Sequence, residues 1–284
     1  FVILRAGDEL TDNGLTAAAL DLIGAEGYRA VYSDLIMRQS DGESGMLLRP
    51  SLNIDLLLSL PVTMVSNWLF RRENWLQART FDERFNEAFE FDYILRLVEE
   101  QGFSGIAHLS EPLLASGLSM LGDRGEERQV IERHLHARGF ESARVERSAL
   151  GSNELDYRHL QQPKVSILLT VMDDLLKMKL CLALLLENAA YEDYEILFLY
   201  QGGFSPSVEQ WLSDVDHVSD ELMRVVRLPV NVSLEQARNA GALQALGEFL
   251  IFMDPEVNVL GRDWVQRLLN HGLRPEVGAV GPKI

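Results

Sequence analysis

The sequence predicts an α/β protein with a mostly parallel sheet flanked by helices, divided into two partial units. Three observations predict it. Residues 164–284 alternate strand-sized apolar runs with helical stretches, the pattern that covers both faces of a parallel sheet. Residues 1–35, shifted by 249, lie on residues 250–284 without a gap and repeat the order strand, polar loop, helix, strand. The 284 residues are 47% apolar and 24% charged, the balance of a globular chain with material for a core rather than of a disordered one.

By the 249-residue offset, Phe1-Val2-Ile3-Leu4 falls on Leu250-Ile251-Phe252-Met253 and reads as a strand. Residues 15–23 fall on the helix that begins at Trp264, and Ala30-Val31 falls on Ala279-Val280. Residues 125–136 read as a charged helix closed by Gly139, and residues 140–160 are polar without clear periodicity. From Pro163 onward the pattern sharpens. Residues 165–171 read as a buried strand, 175–188 as a helix, 195–200 and 224–228 as strands. Residues 234–246 read as a helix with Ser233 as N-cap, and 249–253 as a fourth strand. Ligands of such sheets bind beyond the carboxyl ends of the strands, which here carry Asp173, Tyr200 and Asp254.

The expected organisation is the back half of one unit over 1–122, a helical connector over 123–163, and the front half of the next unit over 164–284. Phe1 opens in the middle of an apolar run without Met, and the chain reads as a fragment of a tandem array rather than two halves of one permuted unit. There are 43 acids against 26 bases, so the formal charge of −17 disfavours nucleic acid and anionic membrane as partners. The single cysteine, Cys181, excludes an internal disulfide framework and a cysteine-based zinc cluster, and reads as a small core residue. No apolar run approaches the roughly 20 residues of a membrane span, no signal peptide is visible, and the expected location is cytoplasmic.

Several runs resemble one family. Val165-Ser166-Ile167-Leu168-Leu169 with Asp173, then Ala237-Arg238-Asn239-Ala240-Gly241, then Ala245-Leu246-Gly247-Glu248-Phe249-Leu250, resemble the nucleotide-binding half of a family 2 glycosyltransferase of the GT-A (Rossmann-like) fold. Val277-Gly278-Ala279-Val280-Gly281 resembles the strand that follows. Tyr32-Ser33-Asp34, Arg49-Pro50, Asp55-Leu56-Leu57-Leu58, and Glu90-Phe91-Asp92-Tyr93 followed by His108 resemble the acceptor side of tandem bacterial members. The resemblance implies a nucleotide-sugar donor, a bacterial glycan or glycoprotein acceptor and a divalent cation, Mn or Mg. It implies that Asp173 contacts the base and that Arg238 and Asn239 belong to the nucleotide site. Glu90, with Asp92 as the nearby alternative, is implied as the catalytic base.

Transfer from a nucleoside diphosphate leaves a diphosphate whose charge must be neutralised, and a divalent ion between hard oxygen ligands does this. Asp254 and Glu256 lie one residue apart after a strand, with Pro255 stiffening the turn. Alone they could be an acidic turn on an acidic surface; with the Arg238-Asn239 run before them the metal reading leads. In the first copy the offset replaces Asp254 by Arg5 and Glu256 by Gly7. Glu9 is expected to favour the first turn of a helix starting near Thr11, and Asp8 is left open between that role and a displaced ligand. Glu90 and Asp92 are equally compatible with acids placed at a helix N-terminus for its dipole. Tyr200 stands where the family keeps an acid and reads as a loop tyrosine, His108 as structural, and the tryptophans at 68, 75, 211 and 264 as core. The losses at Arg5, Gly7 and Tyr200 motivate a second hypothesis, a binding or scaffolding module that kept the fold without the chemistry. A nucleotidyltransferase is the third; it usually carries a glycine-rich basic loop after the first strand, where this chain has Met172-Asp173-Asp174.

Overall fold

The computed structural model describes residues 1–24, 27–38, 43–77, 80–117, 124–218 and 222–282. The chain divides into two compact units, Phe1–Arg158 and His159–Ile284.

The first unit runs β1 (Glu9–Leu10), α1 (Gly14–Gly24), β2 (Ala30–Arg38), β3 (Ser44–Leu47), α2 (Ile54–Ser59), a 3-10 turn (Pro61–Thr63), β4 (Trp68–Phe70) and α3 (Arg72–Gln77). It continues with α4 (Phe89–Gln101), β5 (Ile106–Gly117), α5 (Arg124–Ala137), β6 (Arg144–Arg147) and β7 (Asn153–Asp156). Its sheet is mixed rather than mostly parallel: the order is β1-β5-β2-β3, with β4 also on β2, and only β2 and β5 run parallel. Phe1–Leu4 forms no full strand. Val2 bridges Leu69, and Phe1 and Phe70 exchange two backbone bonds of 2.6 and 2.8 Å, beside a β4 only three residues long.

Trp68, Phe70, Phe91, Tyr93 and Ile94 form the centre of that unit, fully buried. Val130, Ile131 and Leu135 of α5, with Val145 and Leu155 of the β6–β7 hairpin, join the same core, so residues 124–157 are built into the first unit. Glu9 does not cap α1. It lies in β1 and its carboxylate takes both Arg38 Nη atoms at 2.7 and 2.6 Å, while Thr11 Oγ1 accepts the Gly14 N–H at the start of the helix.

The second unit is β8 (Val165–Thr170), α6 (Leu175–Glu187), β9 (Tyr194–Tyr200), α7 (Pro206–Val218), β10 (Met223–Arg227), α8 (Leu234–Gln244), β11 (Phe249–Met253) and α9 (Trp264–Gly272). Its four strands are all parallel, in the order β10-β9-β8-β11. Both faces of β8 and β9 are buried, one under α6, α7 and α9 residues and the other under α8, which explains their nearly unbroken apolar sequence. Cys181 is buried in α6. Ser233 caps α8 with a reciprocal capping box: its hydroxyl accepts the Gln236 N–H, and the Gln236 side chain accepts the Ser233 N–H. Residues 277–281, expected as a strand, are irregular, because among the described residues no strand lies beside them to complete a ladder.

Candidate functional site

Parallel strands put their carboxyl ends at one edge of a sheet. In the second unit Leu169 pairs with Met253, so the loops carrying Asp173 and Asp254 leave neighbouring strands side by side. Asp173 Oδ1 accepts the Ser205 N–H at 2.9 Å and the Ser205 hydroxyl at 2.6 Å, and these bonds hold its carboxyl below the usual range. Asp174 next to it caps α6 through the Lys177 N–H. The capping box sets the start of α8, and one turn on, Arg238 reaches Asp254 Oδ1 at 3.3 Å with its guanidinium over the Phe252 ring. Arg238 Nε is buried with no partner among the described residues. Asn239 follows on α8 and is exposed.

The two carboxylates of the turn are held by different cations. Lys177 Nζ donates to Glu256 Oε1 at 2.8 Å, a bond that lowers the Glu256 pKa and raises that of Lys177. Both Asp254 and Glu256 are more than half exposed. No group of three or more His, Cys, Asp or Glu side chains converges among the described residues. Tyr200 is not a loop residue: it ends β9, its ring is buried against Phe204, and its hydroxyl donates to Glu209 at 2.5 Å. That position takes it away from any stacking role.

In the first unit Glu90 and Asp92 both lie in the first turn of α4, whose entry is tied down by Glu126 of α5 accepting the Asn86, Glu87 and Ala88 N–H groups. Glu90 is 3% exposed, its Oε1 has no partner among the described residues, and Arg5 Nη2 lies 3.6 Å from its Oε2. Burial outweighs the attraction of Arg5 and Arg49 and pushes its carboxyl up to about 8. Asp92 is fully buried and committed: Arg96 Nε lies 2.8 Å from Oδ2 and Arg133 Nε 2.8 Å from Oδ1. Arg133 also forks onto Glu99, which His134 contacts at 2.7 Å, so Asp92 belongs to a network tying α4 to α5. Asp8 Oδ2 accepts the Arg5 N–H, closing the turn beside Glu90.

His108 Nε2 donates to Asp34 Oδ1 at 3.0 Å and its ring stacks on Tyr32, while Asp34 Oδ1 also accepts the Arg49 N–H. Trp68 is fully buried, and Trp75, Trp211 and Trp264 pack against the cores. Sequence reading did not single out Lys177 or Ser205. Each reaches its acid from a distant stretch of chain, so no local spacing announces it.

The segment 166–284 matches the family model described as Glycosyl transferase family 2. The matched segment contains the four strands of the second unit, apart from Val165, and both loops with Asp173 and Asp254. The whole chain is 30% identical to the O-antigen biosynthesis protein RfbC of Myxococcus xanthus, covering 99% of this chain and 22% of that protein. It is 24% identical to the uncharacterized protein y4gI of Sinorhizobium fredii (strain NBRC 101917 / NGR234), covering 100% of this chain and 32% of that one. The chain therefore spans a third or less of the length of these relatives. Among solved structures, the mannosyltransferase PcManGT from Pyrobaculum calidifontis in complex with GDP-Man and Mn2+ aligns with a TM-score of 0.38 at 15% identity, over 42% of this chain and 35% of that one.

Proposed function

We propose that this chain is part of a nucleotide-sugar-dependent glycosyltransferase acting on a bacterial glycan or glycoprotein, assisted by Mn2+ or Mg2+. The observation that carries the reading is the pairing of Asp173 and Asp254 at adjoining carboxyl ends of β8 and β11, inside the family 2 segment, with Arg238 reaching across from α8. The kinship to an O-antigen biosynthesis protein supports a polysaccharide acceptor.

In this reading Asp173 receives the nucleoside, and Arg238 and Asn239 face the diphosphate. Arg238 fits an anion, because its Nε is a buried donor left unfilled. Asp254 and Glu256 would hold the cation. They fit as hard oxygen donors on one exposed turn, each now neutralised by a flexible cationic side chain that an ion would displace. When bound, that ion supplies positive charge to the diphosphate as it leaves. Within the first unit, taken by itself, Glu90 serves as the base for an acceptor hydroxyl: its one ion-pair contact is Arg5 at 3.6 Å, whereas Asp92 is held at 2.8 Å by both Arg96 and Arg133.

The test is calorimetric titration of the chain with a panel of nucleoside diphosphates, with and without Mn2+. Binding of at least one is expected to require the metal, and Asp254→Ala is expected to abolish that requirement together with the binding. Asp8→Ala is expected to do less, because the first copy has Arg5 and Gly7 at the paired positions. Equal affinity with and without metal would move the reading to a non-catalytic module.

A further inference from the structure

The turn that carries Asp254 and Glu256 has a counterpart in the first unit, with its charge inverted. The 249-residue offset carries α9 back onto α1, and Asp254-Pro255-Glu256 onto Arg5-Ala6-Gly7. The turn itself is kept: Val257 N donates to Asp254 O at 3.1 Å, and Asp8 N donates to Arg5 O at 3.0 Å. Two carboxylates in one copy thus give way to a guanidinium and a glycine in the other.

A divalent cation does not fit this turn of the first unit. A doubly charged ion beside a guanidinium meets like-charge repulsion at close range. Gly7 has no side chain to offer, at a φ of 98° that favours glycine. Asp8 Oδ2 accepts the Arg5 N–H at 2.8 Å. Arg5 instead places a fixed positive charge beside Glu90. Its Nη2 lies 3.6 Å from Glu90 Oε2, within ion-pair range and too long for a hydrogen bond. Glu90 is buried, and its Oε1 has no partner among the described residues. Arg49, itself buried with its Nε unpartnered among the described residues, is the other cation acting on Glu90, and Asp8 is the acid acting against its ionisation. With its pKa pushed up to about 8 by burial, Glu90 keeps its proton at neutral pH and leaves the Arg5 charge uncancelled.

We propose that the Arg5 guanidinium takes the place of the divalent cation in the first unit and holds the phosphate group of a phosphate-bearing ligand directly, beside Glu90. The transferase reading above supplies the ligand class, and this site rests on it for that alone. A guanidinium suits the task, because its charge is permanent and its N–H donors match phosphate oxygens two at a time. The two copies of the turn then meet the same anionic chemistry in different ways. One has carboxylates that recruit an ion, and the other has a cation built into the chain. Binding at Arg5 is therefore independent of Mn2+ and Mg2+, and binding at Asp254 and Glu256 is not.

The test uses inorganic pyrophosphate as the probe, titrated calorimetrically into the whole chain in EDTA. Binding is expected without metal. Arg5→Ala should weaken it roughly tenfold or more, the usual effect of losing a hydrogen bond to a charged group, and Arg5→Lys should weaken it less. Arg5 is 36% exposed and its ion pair is long, so Arg5→Ala should keep the melting midpoint of the first unit. Arg128→Ala, which removes a positive charge from the exposed side of α5, should leave pyrophosphate binding unchanged. Mn2+ is followed separately by paramagnetic resonance, and Asp254→Ala, which keeps Asp8, is expected to bind none. Pyrophosphate that binds only with metal, or equally well to Arg5→Ala, overturns the proposal. So does an Asp254→Ala chain that still binds Mn2+ and loses it on Asp8→Ala. A parent chain that binds no Mn2+ overturns the metal reading of the second unit alone, and the pyrophosphate comparison still decides on Arg5.

Discussion

A carboxyl group withdrawn from water is the most informative single residue in this chain. Glu90 has an ordinary pKa of 4.5 and is pushed up to about 8 by burial in the folded unit. Between those values the folded chain keeps a proton that the unfolded chain has released, so stability falls as pH rises across the window. The contribution is complete below the lower value and fully lost above the upper one. Melting of the first unit is expected to show this slope from about pH 5 to about pH 8, and Glu90→Gln should flatten it. An unchanged slope in the variant would show that Glu90 titrates normally. Catalysis runs the other way, because a base must be ionised: turnover in an active, longer chain should rise over the range in which stability falls. There Glu90→Gln should lower turnover roughly 10²–10⁴-fold while donor binding barely changes. Asp92→Asn should act differently. Asp92 has ion pairs on both oxygens at full burial, and breaking such a buried pair costs about 3–5 kcal/mol. Its loss should appear as a lower melting midpoint, with turnover per folded molecule retained; turnover lost in the folded variant would make Asp92 the base.

Elements were legible where one residue pattern decided them. β8 and β9 are continuous apolar runs because both faces are covered, and α8 announces itself by its N-cap Ser233, to which the structure adds Gln236 as the reciprocal partner. The β6–β7 hairpin was not legible: its inward positions are Val145, Asn153 and Leu155, too few apolar residues to raise an alternation above the polar background. The strand expected at 277–281 fails for a non-local reason, since a strand is defined by a partner that its own residues do not encode. Gly247 shows how a short motif holds two elements together. A Cβ there would lie 2.6 Å from Ser166 N and 2.8 Å from Lys164 O, both backbone atoms of the entry to β8. Its N–H donates to Ser166 Oγ, whose hydroxyl in turn donates to the buried Glu195 carboxylate, and Leu246 N–H and Arg224 share that carboxylate. Gly247→Ala must therefore push β11 off β8 or break this cluster. A destabilisation of about 1–3 kcal/mol is expected by denaturant unfolding of the second unit. A neutral result would mean that the backbone shifts freely there.

At the scale of the whole molecule, the sequence placed Asp173 and Asp254 at one sheet edge but did not show how these acids are held. The carboxyl-end rule located Asp173 and Asp254, because strand direction follows from the alternation of strands and helices. The cations opposite Asp254 and Glu256, the ties of Asp92 and the burial of Tyr200 are tertiary facts, invisible to spacing. The same holds for the boundary. A charged helix and a polar stretch read as a connector, yet their few apolar residues, Val130, Ile131, Leu135, Val145 and Leu155, complete the first core. The second core begins only with Val165. Two separate cores predict two separate folding units, and the place to cut is between Arg158, in a left-handed conformation at φ 54°, and His159. A chain with a specific protease site inserted there should yield two pieces, each melting cooperatively at the midpoint of its unit in the uncut chain. The alternative is that the halves complete one another as a single permuted unit. In that case neither piece would melt cooperatively alone, and mixing them would restore the transition. Scanning calorimetry of the separated and recombined pieces distinguishes the two outcomes, because a self-sufficient core keeps its enthalpy of unfolding when its neighbour is removed.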